Sequence, residues 1–259
     1  MSYNAATSTL RIEFVTGIIY DYKMFWNTDI DFASVPELDI LAIGAQPGDV
    51  ELSCGATLHK MAAAGNKVGV LDLTRGEMTG SGLPEGRLEE SKKAGACLGL
   101  LWRGTLAMPD ARLENTVGAR MTLAGTIRRL RPKTLILPPL YGRNPEHHYT
   151  AELGWEACVL SGIPAVDDYS APHRPDRVLF TAEENPQFVA DASANFSAVG
   201  EALACYSTRF TALESVLARR RVTLAYLGAR VGVALAEGFT SRDLFQVSDL
   251  SRMELKTSW

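Results

Sequence analysis

The sequence lacks the features that mark membrane, nucleic-acid-binding and secreted proteins. Its 259 residues carry 26 Lys and Arg against 30 Asp and Glu, so there is no basic surplus to attract nucleic acid or anionic lipid. No apolar run approaches the roughly 20 residues that span a bilayer. The first residues also lack the basic, apolar and small-residue layout of a signal peptide. We therefore expect a cytoplasmic protein with no membrane partner and no nucleic-acid partner.

Cysteine and nucleotide-binding motifs are also scarce. The four cysteines are Cys54, Cys97, Cys158 and Cys205, which are far apart in the chain and form no CxxC or CxxH pair. Each lies within an apolar helical pattern, which favours buried free thiols over a disulfide or a zinc cluster. Neither GxxxxGK[ST] nor GxGxxG occurs, so no phosphate-binding loop is predicted.

The sequence does contain a regular alternation of apolar runs and helical periods after residue 36. The patterns predict strands over residues 38–43, 67–73, 101–106, 134–137, 177–180 and 188–190. They predict helices over residues 50–64, 85–98, 116–130, 193–205 and 211–236, and another that follows His148. Strands that alternate with helices through short links predict an α/β fold, a doubly wound, mostly parallel sheet with helices on both faces.

Residues 1–36 do not fit this alternation. They mix aromatic residues such as Tyr20, Tyr22 and Trp26 with polar ones and hold no sustained period. We expect an N-terminal extension that is irregular or disordered, followed by a single domain over residues 37–259. No internal repeat or low-complexity linker divides that domain.

Two loops that follow predicted strands contain the residues best suited to chemistry. One, from Gln46 to Glu51, includes Asp49, and the other, from Arg143 to His148, includes Glu146 and a histidine pair. Loops at the carboxyl ends of parallel strands meet at one edge of a sheet, where α/β proteins bind their ligands. Histidine and carboxylate are typical ligands of zinc-like ions, so a divalent-metal site is expected at this edge.

Several motifs in this order resemble the LmbE-like (PIG-L-like) N-acetylglucosaminyl-conjugate deacetylases, and they are especially similar to the bacillithiol-biosynthesis branch. The resemblance covers about residues 38–250. It rests on residues 45–52, Gly65 with the strand after it, and residues 74–77, 87–90, 108–115, 143–147 and 239–242. It implies a Rossmann-like fold and a zinc-dependent hydrolase that acts on the acetamide of a sugar conjugate.

The resemblance also implies a metal ion held by two histidines and an aspartate, with a neighbouring aspartate as general base. A histidine of the second loop would stabilise the oxyanion or the leaving amine. Asp49 matches the aspartate ligand and His147 the second-loop histidine ligand. Four family positions are altered. In the first loop, Gln46 replaces the first histidine ligand and Gly48 replaces the base. In the second loop, Asn144 replaces the oxyanion-assisting histidine and Glu146 replaces the aspartate beside it.

Three of these replacements weaken hydrolysis, whereas Glu146 for aspartate is a mild change; Asn144 can still donate a hydrogen bond to an oxyanion but cannot deliver a proton. A glutamine amide is a poor zinc ligand, and loss of one histidine removes several of the roughly 10–16 kcal/mol that a complete site supplies. Gly48 accepts no proton, and general-base catalysis is worth about 10²–10⁴ in rate. The resemblance therefore implies weakened or absent Zn²⁺ binding and a pseudoenzyme that still binds a sugar conjugate.

Two other interpretations stay open. The protein could be an active metal-dependent N-deacetylase of conjugates such as N-acetylglucosaminyl-malate, with Glu51 or His148 as a substitute ligand. It could instead be a structural partner whose pocket is unused. The expected partners are a small sugar conjugate and either further copies of this chain or, in a mixed oligomer, an active relative.

The family match assigns further residues to substrate binding. These are Arg87, Arg143 and Asp110. For Arg87, an ion pair with Glu90 at the start of a helix is an equally good interpretation. Arg219–Arg221 is expected to form the solvated face of the long C-terminal helix.

Overall fold

The computed structural model describes residues 3–4, 9–13, 19–23, 30–31, 34–78, 84–141, 143–166 and 170–246. The strands are β1 (Tyr3–Asn4), β2 (Thr9–Glu13), β3 (Ile19–Lys23), β4 (Ile40–Gly44), β5 (Val68–Thr74), β6 (Trp102–Met108), β7 (Thr134–Leu137), β8 (Arg177–Thr181), β9 (Phe188–Asp191) and β10 (Ala236–Thr240). The helices are α1 (Asp49–Ala63), α2 (Pro84–Cys97), α3 (Val117–Leu130), α4 (Pro145–Ser161), α5 (Phe196–Ala204) and α6 (Leu213–Ala229).

A seven-stranded sheet with the order β6-β5-β4-β7-β8-β10-β9 forms the centre of the fold. The first five strands run parallel, and β10 runs antiparallel to both of its neighbours. The chain builds outward from β4 through β5 and β6, then returns to place β7 and β8 on the other side. The strand order therefore reverses between β4 and β7, and the predicted doubly wound, mostly parallel α/β sheet is confirmed.

Side chains of the central strands alternate between two packed faces. Leu41 and Ile43 of β4 pack with Leu123 of α3 and Ala157 of α4. Ala42 points to the other face, where α1 covers the sheet, and α2 and α5 pack beside α1. Both faces are buried, which explains why these strands are continuous apolar runs rather than alternating ones.

Helix α1 is kinked close to the loop from which it starts. Cys54 has φ −147° and ψ 18°, outside the helical region, so the amide groups of the following turn lose their helical acceptors. The carboxylate of Glu237, on β10, accepts from the N–H groups of Ala56 and Thr57 at 3.1 and 2.7 Å. The first turn of α1, which carries Asp49, is therefore oriented separately from the rest of the helix.

The prediction of one helix over residues 211–236 is wrong for its last seven residues. Helix α6 ends at Ala229, and the chain turns back through Gly232 (φ +75°) to form β10 between β8 and β9. A Cβ on Gly228 would lie 2.6 Å from the Val233 carbonyl oxygen, so the turn packs directly on the helix end. Val231 lies four residues after Leu227 and so continues the apolar spacing of the helix, which is why the sequence pattern did not end the helix at Ala229.

The N-terminal extension contains regular structure at the residues that are described. Strands β1, β2 and β3 pair antiparallel with one another in a separate three-stranded sheet. Most of the other residues that were expected to be irregular or disordered lie outside the described part of the chain. Among the described helices, none is long and apolar enough to cross a membrane.

Candidate functional site

A cavity of about 310 Å³ opens where the strand order reverses, at the carboxyl ends of β4, β7 and β8. Its polar and charged lining includes Asp49, His147, Glu183, Arg219 and Arg220. Apolar groups from Ile43, Val50, Leu52, Pro138, Pro139 and Leu227 form the walls. Ligands bind in such a crevice in open α/β sheets, so the two loops selected from the sequence do meet at a pocket.

Asp49 has partners on both carboxylate oxygens. Its Oδ2 accepts from the Gln46 N–H and lies 3.1 Å from His147 Nε2. Its Oδ1 accepts from Arg209 Nη2 at 2.8 Å. Burial raises the pKa of Asp49, but the hydrogen bond with His147 and the positive charge of Arg209 outweigh it, so the pKa lies below its usual value. Asp49 is therefore a carboxylate held by a guanidinium and an imidazole.

Arg209 is the residue of the site that sequence reasoning missed. It lies in the turn between α5 and α6, 160 residues from Asp49, and no local motif marks it. Its guanidinium also lies over the ring of Phe210, 5.1 Å from the centroid. Only the folded chain brings this cation to the first turn of α1.

Gly48, the position that the resemblance assigns to the general base, is closely packed. Its φ of +98° belongs to the left-handed region that favours glycine. A Cβ there would lie 2.9 Å from two ring carbons of Phe210 and 3.0 Å from Arg209 Nη1. The space that a base would need is therefore filled by the same turn that holds Asp49.

The second loop places its predicted residues in different directions. The side-chain oxygen of Asn144 caps α4, where it accepts from the Glu146 N–H at 3.0 Å. Glu146 turns away from Asp49, since its Oε1 accepts from the Leu113 N–H at 3.4 Å. Burial and the neighbouring Asp110 raise the pKa of Glu146. His147 is thus the only one of these side chains that meets Asp49.

The residues predicted to bind substrate do not line the cavity. Arg87 is buried and donates to the Gly76 carbonyl at 2.7 Å and to Thr208 Oγ1 at 3.4 Å. It also forms the ion pair with Glu90, at 4.0 Å, that was the alternative interpretation. Asp110 is buried and accepts from the Met78 N–H, and Arg143 is exposed. Their roles in binding stay predictions.

The expectation of a solvated Arg219–Arg221 face is wrong for its middle residue. Arg220 is only 8% exposed, because its guanidinium pairs with Glu183 and donates from Nη2 to the Ser53 carbonyl at 2.7 Å. That carbonyl lies at the kink of α1, so Arg220 ties α6 to the first turn of α1. Arg219 and Arg221 are exposed, and Arg219 lines the cavity.

Neither candidate substitute ligand reaches Asp49. His148 is exposed, with its Nδ1 3.1 Å from the Leu140 carbonyl oxygen. Glu51 points to the opposite side of α1, where its Oε1 accepts from Arg103 at 2.6 Å and from the Tyr206 hydroxyl at 2.5 Å. Two residues apart on a helix, Asp49 and Glu51 cannot face the same pocket.

The residues present do not fit a catalytic metal ion. Among the described residues, no group of three or more His, Cys, Asp or Glu side chains is arranged to hold one. Asp49 and His147 contact each other directly, and the Arg209 cation lies on the oxygen that a second positive ion would need. A divalent ion would have to displace a guanidinium and find at least one further protein ligand.

Beneath the site, Arg103 lies between two buried carboxylates. Its guanidinium contacts Glu51 at 2.6 Å and Asp72 at 3.0 Å. Burial raises the pKa of Asp72 to about 7, since Glu51 and Asp49 add negative charge that the single Arg103 only partly offsets.

We predict that the raised pKa of Asp72 makes the stability of the fold depend on pH. Between pH 3.8 and about 7 the folded protein binds the Asp72 proton more tightly than the unfolded chain does, so the contribution of Asp72 to stability falls as pH rises. The free energy of unfolding of wild type, compared with Asp72→Asn, should fall by on the order of 1–4 kcal/mol across this window. Urea titrations at several pH values measure the difference. A constant difference between the two proteins would contradict the prediction.

Comparisons with known proteins agree with this architecture. Residues 41–158 match the family described as PIG-L: GlcNAc-PI de-N-acetylase. The chain is 30% identical over 169 residues to the diacetylchitobiose deacetylase of Thermococcus kodakarensis, covering 60% of this chain and 63% of that protein. It is also 30% identical over 139 residues to the uncharacterized deacetylase YaiS of Escherichia coli, covering 51% of this chain and 74% of that protein.

A solved structure extends the match over most of the chain. The structure of a conserved protein from Thermus thermophilus is 35% identical, with a TM-score of 0.79, and the alignment covers 83% of this chain and 100% of that one. The Thermococcus enzyme is matched over less than two thirds of its length, so its activity is not transferred by identity alone. With a pocket at the switch point of the sheet and relatives matched over most of their length, the chain belongs to the PIG-L (LmbE-like) family of N-acetylglucosaminyl-conjugate deacetylases.

Proposed function

We propose that this protein binds an N-acetylglucosamine conjugate in the 310 Å³ cavity without hydrolysing it. The observation that carries the proposal is the occupation of both Asp49 oxygens, Oδ1 by Arg209 and Oδ2 by His147 and the Gln46 N–H. The family resemblance implies that amide hydrolysis needs a metal-activated water and a general base. At this site a fixed guanidinium supplies the positive charge instead, and it cannot acidify a water.

The position of the base supports the same conclusion. A carboxylate at residue 48 would overlap Phe210 and Arg209, and Gly48 itself has no group that accepts a proton. Glu51 is engaged with Arg103 and Tyr206 on the far side of α1. Among the described residues, the only carboxylate besides Asp49 that lines the cavity is that of Glu183, and it is paired with Arg220.

The cavity keeps the properties of a small-ligand site. Its volume lies at the lower end of the range of ligand pockets, about 300–1,000 Å³. Asp49 and His147 offer polar atoms for sugar hydroxyls, and the exposed Arg219 in the same lining offers a cation. These groups suit a sugar joined to an acidic group, so N-acetylglucosaminyl-malate, the conjugate of the bacillithiol branch, is our proposed ligand. Assembly with an active relative is the matching proposal for its partner.

An active N-deacetylase is the second candidate. The names of two relatives at 30% identity favour it, and so does the contact between Asp49 and His147, the two matched ligand positions that are retained. It requires a metal ion that displaces Arg209 from Asp49.

Metal content and acetate release separate the two candidates. We expect purified protein incubated with zinc and desalted to hold well below one ion per chain, and to release no acetate from N-acetylglucosaminyl-malate. Stoichiometric zinc together with acetate release would establish the second candidate and reject the first. Calorimetry with the same compound tests whether the pocket binds at all, and no measurable heat would reject the binding proposal.

A pair of variants on α6 tests which cavity is used. Thr223 lines the cavity, whereas Val222 beside it is 71% exposed and does not. Thr223→Trp should abolish the calorimetric signal because the indole fills the cavity, and Val222→Trp should leave the affinity within about twofold. Equal affinities for both variants would place the ligand elsewhere.

A further inference from the structure

Two half-buried cysteines that are remote in sequence lie in contact. The Sγ atoms of Cys97, the last residue of α2, and Cys205, which follows α5, are 3.9 Å apart. Cys54 and Cys158 are fully buried, so they lack the access of this pair. The sequence predicted four isolated buried thiols because 108 residues separate Cys97 from Cys205.

We propose that Cys97 and Cys205 form a dithiol that low-molecular-weight disulfides convert to an intramolecular disulfide. A sulfur–sulfur bond is about 2.0 Å long, so the two sulfurs must approach by roughly another 2 Å, which side-chain rotation at two adjoining helix ends can supply. Both cysteines terminate helices, and neither lies within a strand that would have to break.

The exchange is balanced by two thiol–disulfide steps. The thiolate of one cysteine attacks a sulfur of the reagent RSSR, which forms a mixed disulfide and releases RS⁻. The second cysteine then loses its proton to solvent and attacks the protein sulfur of the mixed disulfide, which releases a second RS⁻. The protein loses two electrons and two protons, and RSSR becomes two RSH.

The pair is placed to affect the candidate site. Cys205 begins the turn that carries Tyr206, Arg209 and Phe210, the groups that contact Glu51, Asp49 and Gly48. Helix α2 already holds this turn, because Ser207 Oγ donates to Glu90 at 2.9 Å and Arg87 donates to Thr208. A disulfide would fix the same turn to the other end of α2, and so hold Arg209 on Asp49.

Incubation with oxidised glutathione, followed by alkylation and peptide mapping, tests the proposal on the full chain. We expect a chain lighter by two hydrogen atoms, a cross-linked peptide pair that contains Cys97 and Cys205, and a thermal midpoint raised by about 5–15 °C, because a long loop is closed. Dithiothreitol should reverse both changes, and the Cys54 and Cys158 peptides serve as internal controls.

Single variants identify the two steps. Cys97→Ser and Cys205→Ser should each stop at a mixed disulfide with one glutathione, and neither should gain thermal stability. Four free thiols after oxidation, a disulfide that joins two chains, or a mixed disulfide that persists in wild type would each overturn the proposal.

Discussion

Replacing Arg103 by methionine is expected to lower the free energy of unfolding by about 3–5 kcal/mol at pH 7, because it leaves two buried carboxylates without their shared cation. Arg103 contacts both Glu51 and Asp72, and its side chain is only 5% exposed. Methionine keeps much of the length and apolar volume, so the loss reports charge more than packing. Urea unfolding followed by circular dichroism measures it.

Arg120→Met is the matched control for that variant. Arg120 also contacts a carboxylate at 2.6 Å, that of Glu156, but the two side chains are 24% and 40% exposed. Its replacement should cost less than about 1 kcal/mol because solvent screens the pair. The loss for Arg103→Met should also be smaller at pH 5 than at pH 8, because Asp72, whose pKa is raised to about 7, is protonated at pH 5 and no longer needs the cation. Equal losses for the two variants, or a loss independent of pH, would refute a charge-based role for Arg103.

Adding a side chain at residue 48 is expected to cost about 2–4 kcal/mol, because it combines a left-handed backbone with an overlap. Gly48 has φ +98°, and its added Cβ would meet Phe210 at 2.9 Å. Gly65→Ala separates the two contributions, since Gly65 has φ +88° and nothing within 4 Å of its added Cβ. The free energy of unfolding of that control should fall by only about 1–2 kcal/mol, which is the cost of the left-handed backbone alone. The free energy of unfolding of the double variant Gly48→Ala/Phe210→Ala should fall by no more than the sum of the two single-variant losses, because the ring that the new Cβ overlaps has been removed.

The same packing predicts the result of rebuilding the family motif. Gln46→His, Gly48→Asp and Asn144→His together restore the residue types that hydrolysis is implied to need. We expect no acetate release from this triple variant, because Arg209 stays on Asp49 and Phe210 occupies the space of the new carboxylate. Acetate release by the triple variant alone would show that the turn gives way easily, and would contradict the role assigned to it.

Features set by neighbouring residues in the chain were predicted correctly, whereas contacts between residues far apart in the chain were not. The strand, turn and helix around Asp49 were predictable because buried apolar runs, Gly48 and helical periodicity lie within 25 residues. The meeting of Asp49 with His147 followed from the rule that parallel strands share an edge. Arg209 was not predictable, since its turn has no signature and its partner is 160 residues away. The same holds for the contact between Cys97 and Cys205.

Two failures had a different origin. Helix α6 was predicted to continue to residue 236 because Val231 keeps the apolar spacing of Leu224 and Leu227, and no strand was predicted over β10. The packing of the following turn on Gly228 ends the helix instead. Glu51 looked like a substitute ligand because it lies in the motif loop. Its direction is set by Arg103 and Tyr206, which a local pattern cannot reveal.

The hydrogen bonds that the Glu237 carboxylate accepts at the kink of α1 have a consequence for folding during protein synthesis. Strand β10 is the last of the described strands in chain order, yet it lies between β8 and β9, and its Glu237 accepts from the amides that follow the Asp49 turn. A nascent chain that has emerged from the ribosome only as far as residue 230 therefore has every residue of the Asp49–His147–Arg209 contact but lacks Glu237, which orients the first turn of α1. The crevice is completed only after β10 has inserted between β8 and β9.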